Sequence, residues 1–389
     1  MAEDEIRGPK DVCAQLEELL RGFGPVRADV TDCEKDLLGH FAHSLLAIVL
    51  VCYRHTRTLQ RAAWRGMLPK RVPRYSELSR RTDAPAGSAW GVFGPRDQLG
   101  SLNHMTPERV LAALKLVRRG ETFSLDYPIN HFPPNTFRKL ATHVIFGRHK
   151  DMRDDYLDSY YLQGTSQLDG FRHRRHTIHG FYNGTPDDAI EVGRPDLGIQ
   201  HWAERGIVGR GVLVDIERHF ARIGRRLDYD TGEPFTVHDV DEAAAAQNVE
   251  LRPGDVLLLR GGWANYFLAL PPEEQAARRA RPPASNGLLQ SRETAAWLWD
   301  HEFTLVAADN SAVETVPPAD PAPFATDTDH GLMHQELIAL LGIALGELFR
   351  LDDVADDCAR DGVYEFLFVS KPVSLVGGVG SPANALAIK

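Results

Sequence analysis

Residues 161–173 read YLQGTSQLDGFRH, and two further histidines follow at His176 and His179. This segment gathers amide, hydroxyl, carboxylate and imidazole groups and leaves almost no room for a hydrophobic face. In an extended strand Gln167 and Asp169 would point to the same side, because side chains alternate along a strand. Such polar groups cost folding energy unless they meet each other, water, a metal ion or a substrate. A polar surface turn is the alternative, but aromatic residues on both flanks indicate partial burial. We therefore predict a functional site here.

Regular elements are predicted on both sides of this segment. Thr106 is a favourable N-cap, and Pro107 a favourable first residue, for a helix that ends near Gly120. Apolar residues repeat along this stretch with helical spacing. Further helices are predicted over 237–247, 291–301 and 333–349, loops over 180–195 and 272–286, and strands over 123–127, 211–216, 256–260, 303–308 and 364–370. Strands that alternate with helices and loops indicate an α/β protein with a mixed sheet.

The first part of the chain has a different character. Val12–Phe23 has the pattern of a short amphipathic helix, and Phe41–Tyr53 is strongly apolar. The apolar stretch is shorter than the roughly 20 residues that a membrane-spanning helix needs, which favours a buried or partner-binding helix. Residues 54–81 are rich in arginine, as in a solvated linker. We predict an N-terminal extension over 1–80, helical or poorly ordered, and a folded domain over 81–389.

The composition is that of a soluble globular protein of 389 residues, long enough for one large domain or two. Its net charge of −10 argues against nonspecific binding to nucleic acid. The four cysteines form no C-x-x-C pair, and the chain does not begin like a signal peptide. These features predict reduced thiols and a cytoplasmic location. The glycine-rich segment 377–382 lacks the strand–turn–helix context of a dinucleotide loop, so we assign it no cofactor.

A series of ordered motifs extends from Trp90 to Lys389. They are WG at 90–91, DQLGSLN at 97–103, TPE at 106–108, the segment 163–173, GIVGRGVL at 206–213, RPGDVL at 252–257, GW at 262–263, ADN at 308–310 with VE at 313–314, and GGVGSPAN at 377–384. Together they resemble the putative cyclase family of kynurenine formamidase-like and isatin hydrolase-like metal-dependent hydrolases, in its longer branch. The resemblance implies that the folded domain is catalytic and is a single mixed-sheet domain of the swivelling β/β/α type.

The better-known members of that family carry the motif H-x-G-T-H-x-D-x-P-x-H, in which two histidines and the aspartate bind a divalent metal. By alignment, Asp169 corresponds to the metal aspartate and His173 to the last histidine, which acts in proton transfer. Gln163 and Gln167 stand in place of the two metal histidines, and Phe171 replaces the proline. The resemblance thus implies a divalent metal, manganese or zinc. Imidazole suits zinc, whereas the amide and carboxylate oxygens of this sequence suit harder ions such as manganese or magnesium.

The family also places a histidine and a glutamate beside the metal on a late helix. His334 and Glu347 are the nearest matches, and His330 is a close alternative to His334. A solvent-facing position on the predicted helix 333–349 is the alternative for Glu347. His176 and His179 fit surface residues, or residues that contact the ligands, better than they fit ligands.

The resemblance implies hydrolysis of an amide, lactam or ester bond in a small cyclic or aromatic substrate. Two alternatives stay open: a metal-independent cyclase that catalyses ring closure, lactonisation or dehydration through Asp169 and His173, and a non-catalytic small-molecule binder. Phe171, Tyr182 and Trp263 would line an apolar substrate pocket. The family's habit of association predicts a homodimer or homotetramer, and neither nucleic acid nor membrane is an expected partner.

Overall fold

The computed structural model describes residues 71–134, 138–328 and 330–389. These residues belong to one compact unit that spans Met67–Lys389. The predictions for Val12–Phe23, for Phe41–Tyr53 and for most of the basic segment 54–81 lie outside the described residues. Tyr75 and Leu78 are buried in the hydrophobic core. The packed domain therefore begins before residue 81.

A nine-stranded mixed sheet forms the centre of the described part of the chain, in the order β1-β13-β11-β5-β7-β9-β10-β4-β12. Two small sheets pair β2 with β3 and β6 with β8. The strands are β1 (Thr122–Ser124), β2 (Thr142–Phe146), β3 (Asp154–Asp158), β4 (Gln167–Asp169), β5 (Ile207–Asp215), β6 (Pro234–Phe235), β7 (Val256–Arg260), β8 (Gly287–Leu288), β9 (Leu305–Ala308), β10 (Ala344–Glu347), β11 (Glu365–Ser370), β12 (Gly380–Pro382) and β13 (Ala385–Ile388).

Four parallel neighbours, β5, β7, β9 and β10, occupy the middle of this sheet. Every residue of β7, β9 and β10 is buried, which explains their continuous apolar runs, because strands covered on both faces do not alternate with polar residues. The strands on either side, β11 and β4, pair antiparallel with this group. The predicted α/β fold with a mixed sheet is confirmed.

Helices surround the sheet, and several begin at the caps that the sequence predicts. Thr106 accepts a hydrogen bond from the Arg109 amide, and Ser291 accepts one from the Thr294 amide. Among the described residues the α-helices are α1 (Tyr75–Leu78), α2 (Pro107–Leu114), α3 (Gln200–Arg205), α4 (Ile216–Arg222), α5 (Val237–Ala246), α6 (Trp263–Ala269), α7 (Pro272–Arg279), α8 (Arg292–Asp300) and α9 (Asp352–Asp361). None of the helices in this part of the chain is both long and apolar enough to cross a bilayer.

Two predicted elements are wrong. The long helix over 333–349 is a short π-helical segment, Gln335–Leu340, followed by strand β10. Gly342 has a φ of +62° between them and turns the chain into the sheet, where β9 and β4 pair with β10. A run that is apolar on all sides does not distinguish a buried strand from a helix. The predicted loop 272–286 contains α7, which has proline at its first position, acidic residues in its first turn and basic residues in its last turn.

His104 gives the fold a predictable response to acid. Its side chain is 1% exposed and packs edge-on against Phe93, and burial lowers the pKa of His104 to about 3. The unfolded chain takes up a proton near pH 6.5 while the folded chain does not, so stability falls as the pH drops below that value. From pH 7 to pH 5 this residue should cost about 2 kcal/mol of unfolding free energy.

Denaturant titrations at the two pH values, on the wild type and on His104→Gln, measure this effect. The variant is expected to lose about 2 kcal/mol less than the wild type over the same interval. Equal losses in the two proteins would show that His104 is not the group that titrates.

Candidate active site

Strand pairing assembles the centre of the site. Strand β4 lies between β10 and β12, with Gln167 opposite Glu347 and Asp169 opposite Leu345. Gln167 and Asp169 are fully buried and lie two residues apart on one strand, so their side chains share a face, as predicted. Glu347 is directly opposite Gln167 and projects to the same side. It is the last residue of a parallel strand, and the carboxyl ends of such strands are where open α/β sheets bind ligands.

Three potential metal ligands meet at this point. Asp169, His334 and Glu347 are buried, and one oxygen or nitrogen atom from each lies within 4.8 Å of the others. His334 Nε2 is 3.0 Å from Glu347 Oε1 and 3.7 Å from Asp169 Oδ2. His330, the alternative to His334, is exposed and is not a member of this group. Glu347 enters the group from a strand rather than from the predicted helix.

Glu314 is a residue of the site that the sequence motifs did not single out as functional. Its buried carboxylate accepts a hydrogen bond from His334 Nδ1 and another, 3.0 Å long, from the His334 main-chain amide. A carboxylate on Nδ1 fixes the tautomer of a ligand histidine and turns Nε2 toward the metal position. Glu314 follows Val313, which has a φ of +58° and is held by the Asn310 side chain. In the sequence, the VE motif at 313–314 was the feature that could have identified Glu314 as a site residue.

The two glutamines orient their amide nitrogens toward the carboxylates. Gln167 Nε2 donates to Glu347, and its Oε1 accepts from Arg138 Nη1 at 3.2 Å. Gln163 Nε2 donates to Asp169 Oδ1 and lies 3.0 Å from His173 Nδ1. In this arrangement both glutamines hold carboxylates in place and do not turn an amide oxygen toward them. Strand β12 leaves space for Gln163, because a Cβ on Gly380 would lie 2.8 Å from its Cγ.

His173 lies at the edge of the buried group. Its Nε2 is 3.8 Å from Asp169 Oδ2, and 27% of its side chain is exposed, whereas Asp169 is fully buried. Burial lowers the pKa of the His173 imidazole, and the negative charge of Asp169 opposes this shift. The carboxylate and the imidazole therefore share one site, and only the imidazole contacts solvent.

The electrostatics of the group favour a bound cation. Burial, followed by the charge of Asp169, raises the pKa of Glu347 to about 7. Burial disfavours the charged imidazole of His334, but hydrogen bonds to the surrounding carboxylates hold its pKa well above the usual range. Among the described residues, Oδ2 of Asp169 is buried without a hydrogen-bond partner. An orphaned oxygen beside several carboxylates and one imidazole fits a divalent cation, which would offset their charge.

The predicted substrate-binding aromatics have other positions. Phe171 and Tyr182 are fully buried in the main core, with ring centroids 4.8 Å apart, and the Tyr182 hydroxyl donates to Asp97. Both rings belong to the main hydrophobic core and have no exposed surface. Trp263 is half-buried and stacks on Phe267, in a small apolar cluster that includes Leu348, the residue after Glu347. Of the three, Trp263 is the one that keeps exposed surface.

His176 and His179 lie outside the three-ligand group. Their rings are 4.7 Å apart, and His176 Nε2 is 3.4 Å from Glu336 Oε1.

Comparisons with known proteins agree with the fold. The family model described as "Putative cyclase" matches residues 127–315. A crystal structure described as a novel cyclase is 34% identical, covers 78% of this chain and 99% of its own, and has a TM-score of 0.67. Isatin hydrolase A from Ralstonia solanacearum is 16% identical over 72% of this chain and 97% of its own, with a TM-score of 0.47.

Isatin hydrolase A from Labrenzia aggregata, solved with benzyl benzoate, is 13% identical over 72% of this chain and 97% of its own, with a TM-score of 0.45. No curated protein matches the chain. The identity to the solved cyclase extends over nearly that whole protein, and the resemblance seen in the sequence motifs is confirmed. The chain belongs to the putative cyclase family.

Proposed function

We propose that the protein is a divalent-metal-dependent hydrolase that acts on an amide, lactam or ester bond of a small cyclic or aromatic compound. The observation that carries the proposal is the buried group of Asp169, His334 and Glu347, with one unpartnered carboxylate oxygen. A buried carboxylate pair that served only the fold would be expected to have every oxygen hydrogen-bonded.

Asp169, His334 and Glu347 would hold the ion, and Glu314 would keep His334 in the ligand tautomer. Two carboxylates and one imidazole suit manganese or zinc. Magnesium is a third candidate, and it is the ion of the three that most prefers oxygen ligands. A bound ion of this kind polarises a substrate carbonyl and lowers the pKa of a bound water. Gln163 and Gln167 would act as hydrogen-bond donors that keep the two carboxylates in position, which revises their predicted role as ligands.

His173 would move the proton. The amide of Gln163 faces Nδ1 and Nε2 lies on the side of Asp169, so Nε2 is the atom placed to exchange a proton with the reactants. The ring would accept the proton of the attacking water and, as the imidazolium, give that proton to the leaving group. Its partial exposure allows exchange with solvent after each turnover, while Asp169 stays buried and ionised. Trp263 and its apolar cluster would contact the ring of the substrate.

Metal removal tests the proposal. Protein purified without chelator is expected to contain about one manganese or zinc ion per chain, by elemental analysis. It should hydrolyse at least one member of a panel of aryl esters, anilides and lactams. Dialysis against EDTA should abolish that turnover, and Mn²⁺ or Zn²⁺ should restore it, because the carboxylates alone do not polarise the substrate.

Two results would contradict the proposal. Turnover that survives EDTA in metal-free protein would favour the metal-independent cyclase, with proton transfer by Asp169 and His173. Binding of panel compounds without turnover of any of them, in metal-loaded protein, would favour the small-molecule binder.

A further inference from the structure

Arg138 contacts both glutamines of the site. Its Nη1 donates to the main-chain oxygen of Gln163 at 2.5 Å and to Oε1 of Gln167 at 3.2 Å. Those glutamines in turn donate to Asp169 and Glu347. Arg138 is half-buried, so it and His173 are the charged or titratable groups of this assembly that solvent reaches.

The charge distribution makes this position informative. The chain carries a net charge of −10, and the centre of the site contributes Asp169, Glu314 and Glu347. A cation at the solvent-exposed edge of an acidic site gives an anionic group a favourable contact where the nearby carboxylates would otherwise repel it. A guanidinium also matches the geometry of a carboxylate, with which it can form two parallel hydrogen bonds.

We propose that Arg138 binds an anionic group of the substrate, and that the substrate is a carboxylate-bearing amide, lactam or ester. This inference rests on the proposed function of the same site. The guanidinium would hold the substrate's carboxylate at the solvent-exposed edge of the site. The scissile carbonyl would then reach the group of Asp169, His334 and Glu347. Arg138 would therefore determine specificity and contribute mainly to binding.

Calorimetric titration of the metal-loaded full-length protein with benzoate, and with the uncharged benzamide, tests this binding directly. Benzoate is expected to bind more tightly than benzamide. Arg138→Met should weaken benzoate about 10- to 100-fold, the range for a hydrogen bond to a charged group, and leave benzamide unchanged. Arg138→Lys should recover part of the lost affinity, because lysine keeps the positive charge but cannot donate two parallel hydrogen bonds to a carboxylate. Arg148→Met is the matched control, since Arg148 is an exposed arginine on the β2–β3 connection.

Equal weakening of both compounds by Arg138→Met would show that the arginine only supports the loop that carries Gln163. Unchanged benzoate binding would show that the carboxylate is held elsewhere, for example by the metal. Either result overturns the inference. In steady-state assays, Arg138→Met should raise the KM for 4-acetoxybenzoate about 10- to 100-fold and should raise the KM for phenyl acetate much less. If the wild type hydrolyses neither ester, the proposed function loses support, and the benzoate titration still decides the role of Arg138.

Discussion

Asp169→Asn is expected to remove both the metal ion and the hydrolytic activity. The substitution keeps the shape of the side chain and its contact with Gln163, but it removes the charge that two neighbouring imidazoles face. Loss of a residue that only supports a ligand typically costs about 10- to 100-fold in metal affinity, so loss of a ligand should cost more. Elemental analysis and titration with Mn²⁺, followed by kcat/KM on the best panel substrate, measure both effects.

Asp255→Asn is the matched control for this prediction. Asp255 is also a buried aspartate, 2% exposed, but it precedes β7 and so lies at the opposite end of the parallel strands, where it pairs with Arg210. The control should keep its metal and its activity. An Asp169→Asn protein that binds metal as tightly as the wild type would exclude Asp169 from the ligand set.

His173→Ala is expected to lower kcat by about 10²- to 10⁴-fold, the usual contribution of a positioned acid or base. The metal content should stay that of the wild type, because His173 is not a member of the three-ligand group. This combination separates proton transfer from metal binding. It is measured by elemental analysis and by kcat at saturating substrate.

The nearby His179→Ala serves as its control. His179 is exposed, and its ring packs at a tilt against the ring of His176, outside the three-ligand group. Its removal should leave both metal content and kcat unchanged. If His173→Ala lost the metal, His173 would be a ligand in the loaded protein, and another group would have to carry the proton.

The sheet explains why a short polar segment is a suitable place for this chemistry. Strand β4 pairs on both sides, with β10 and β12, so its main chain is satisfied and its polar side chains are free to meet each other. The glycine-rich segment 377–382 takes part in this pairing. Gly380 faces Asp169 across the strands, and the absence of a side chain there makes room for Gln163. This glycine therefore helps to shape the site.

Local chemistry was sufficient to predict several parts of the fold. Helix caps at Thr106 and Ser291 satisfy main-chain amides with the residue's own side chain, so they need no distant partner. The apolar runs of β7 and β9 were identifiable because no charged residue interrupts them. The orientation of Gln167 and Asp169 followed from the two-residue period of a strand. By contrast, the sequence predicts a helix over 333–349 where the structure has a π-helical segment and a strand. When a segment is buried on all sides, its apolar residues show neither the helical nor the strand periodicity.

The sequence by itself determined that amide, carboxylate and imidazole groups are concentrated in residues 163–173, and that Gln167 and Asp169 share a face. Only the tertiary structure decided which distant residues complete the site and how the glutamine amides are turned. Gln167 and Glu347 are 180 positions apart and meet because β10 pairs with β4, and Glu314 reaches His334 from a separate loop. These contacts depend on strand register and on hydrogen bonds between remote segments, which the local pattern of residues does not encode.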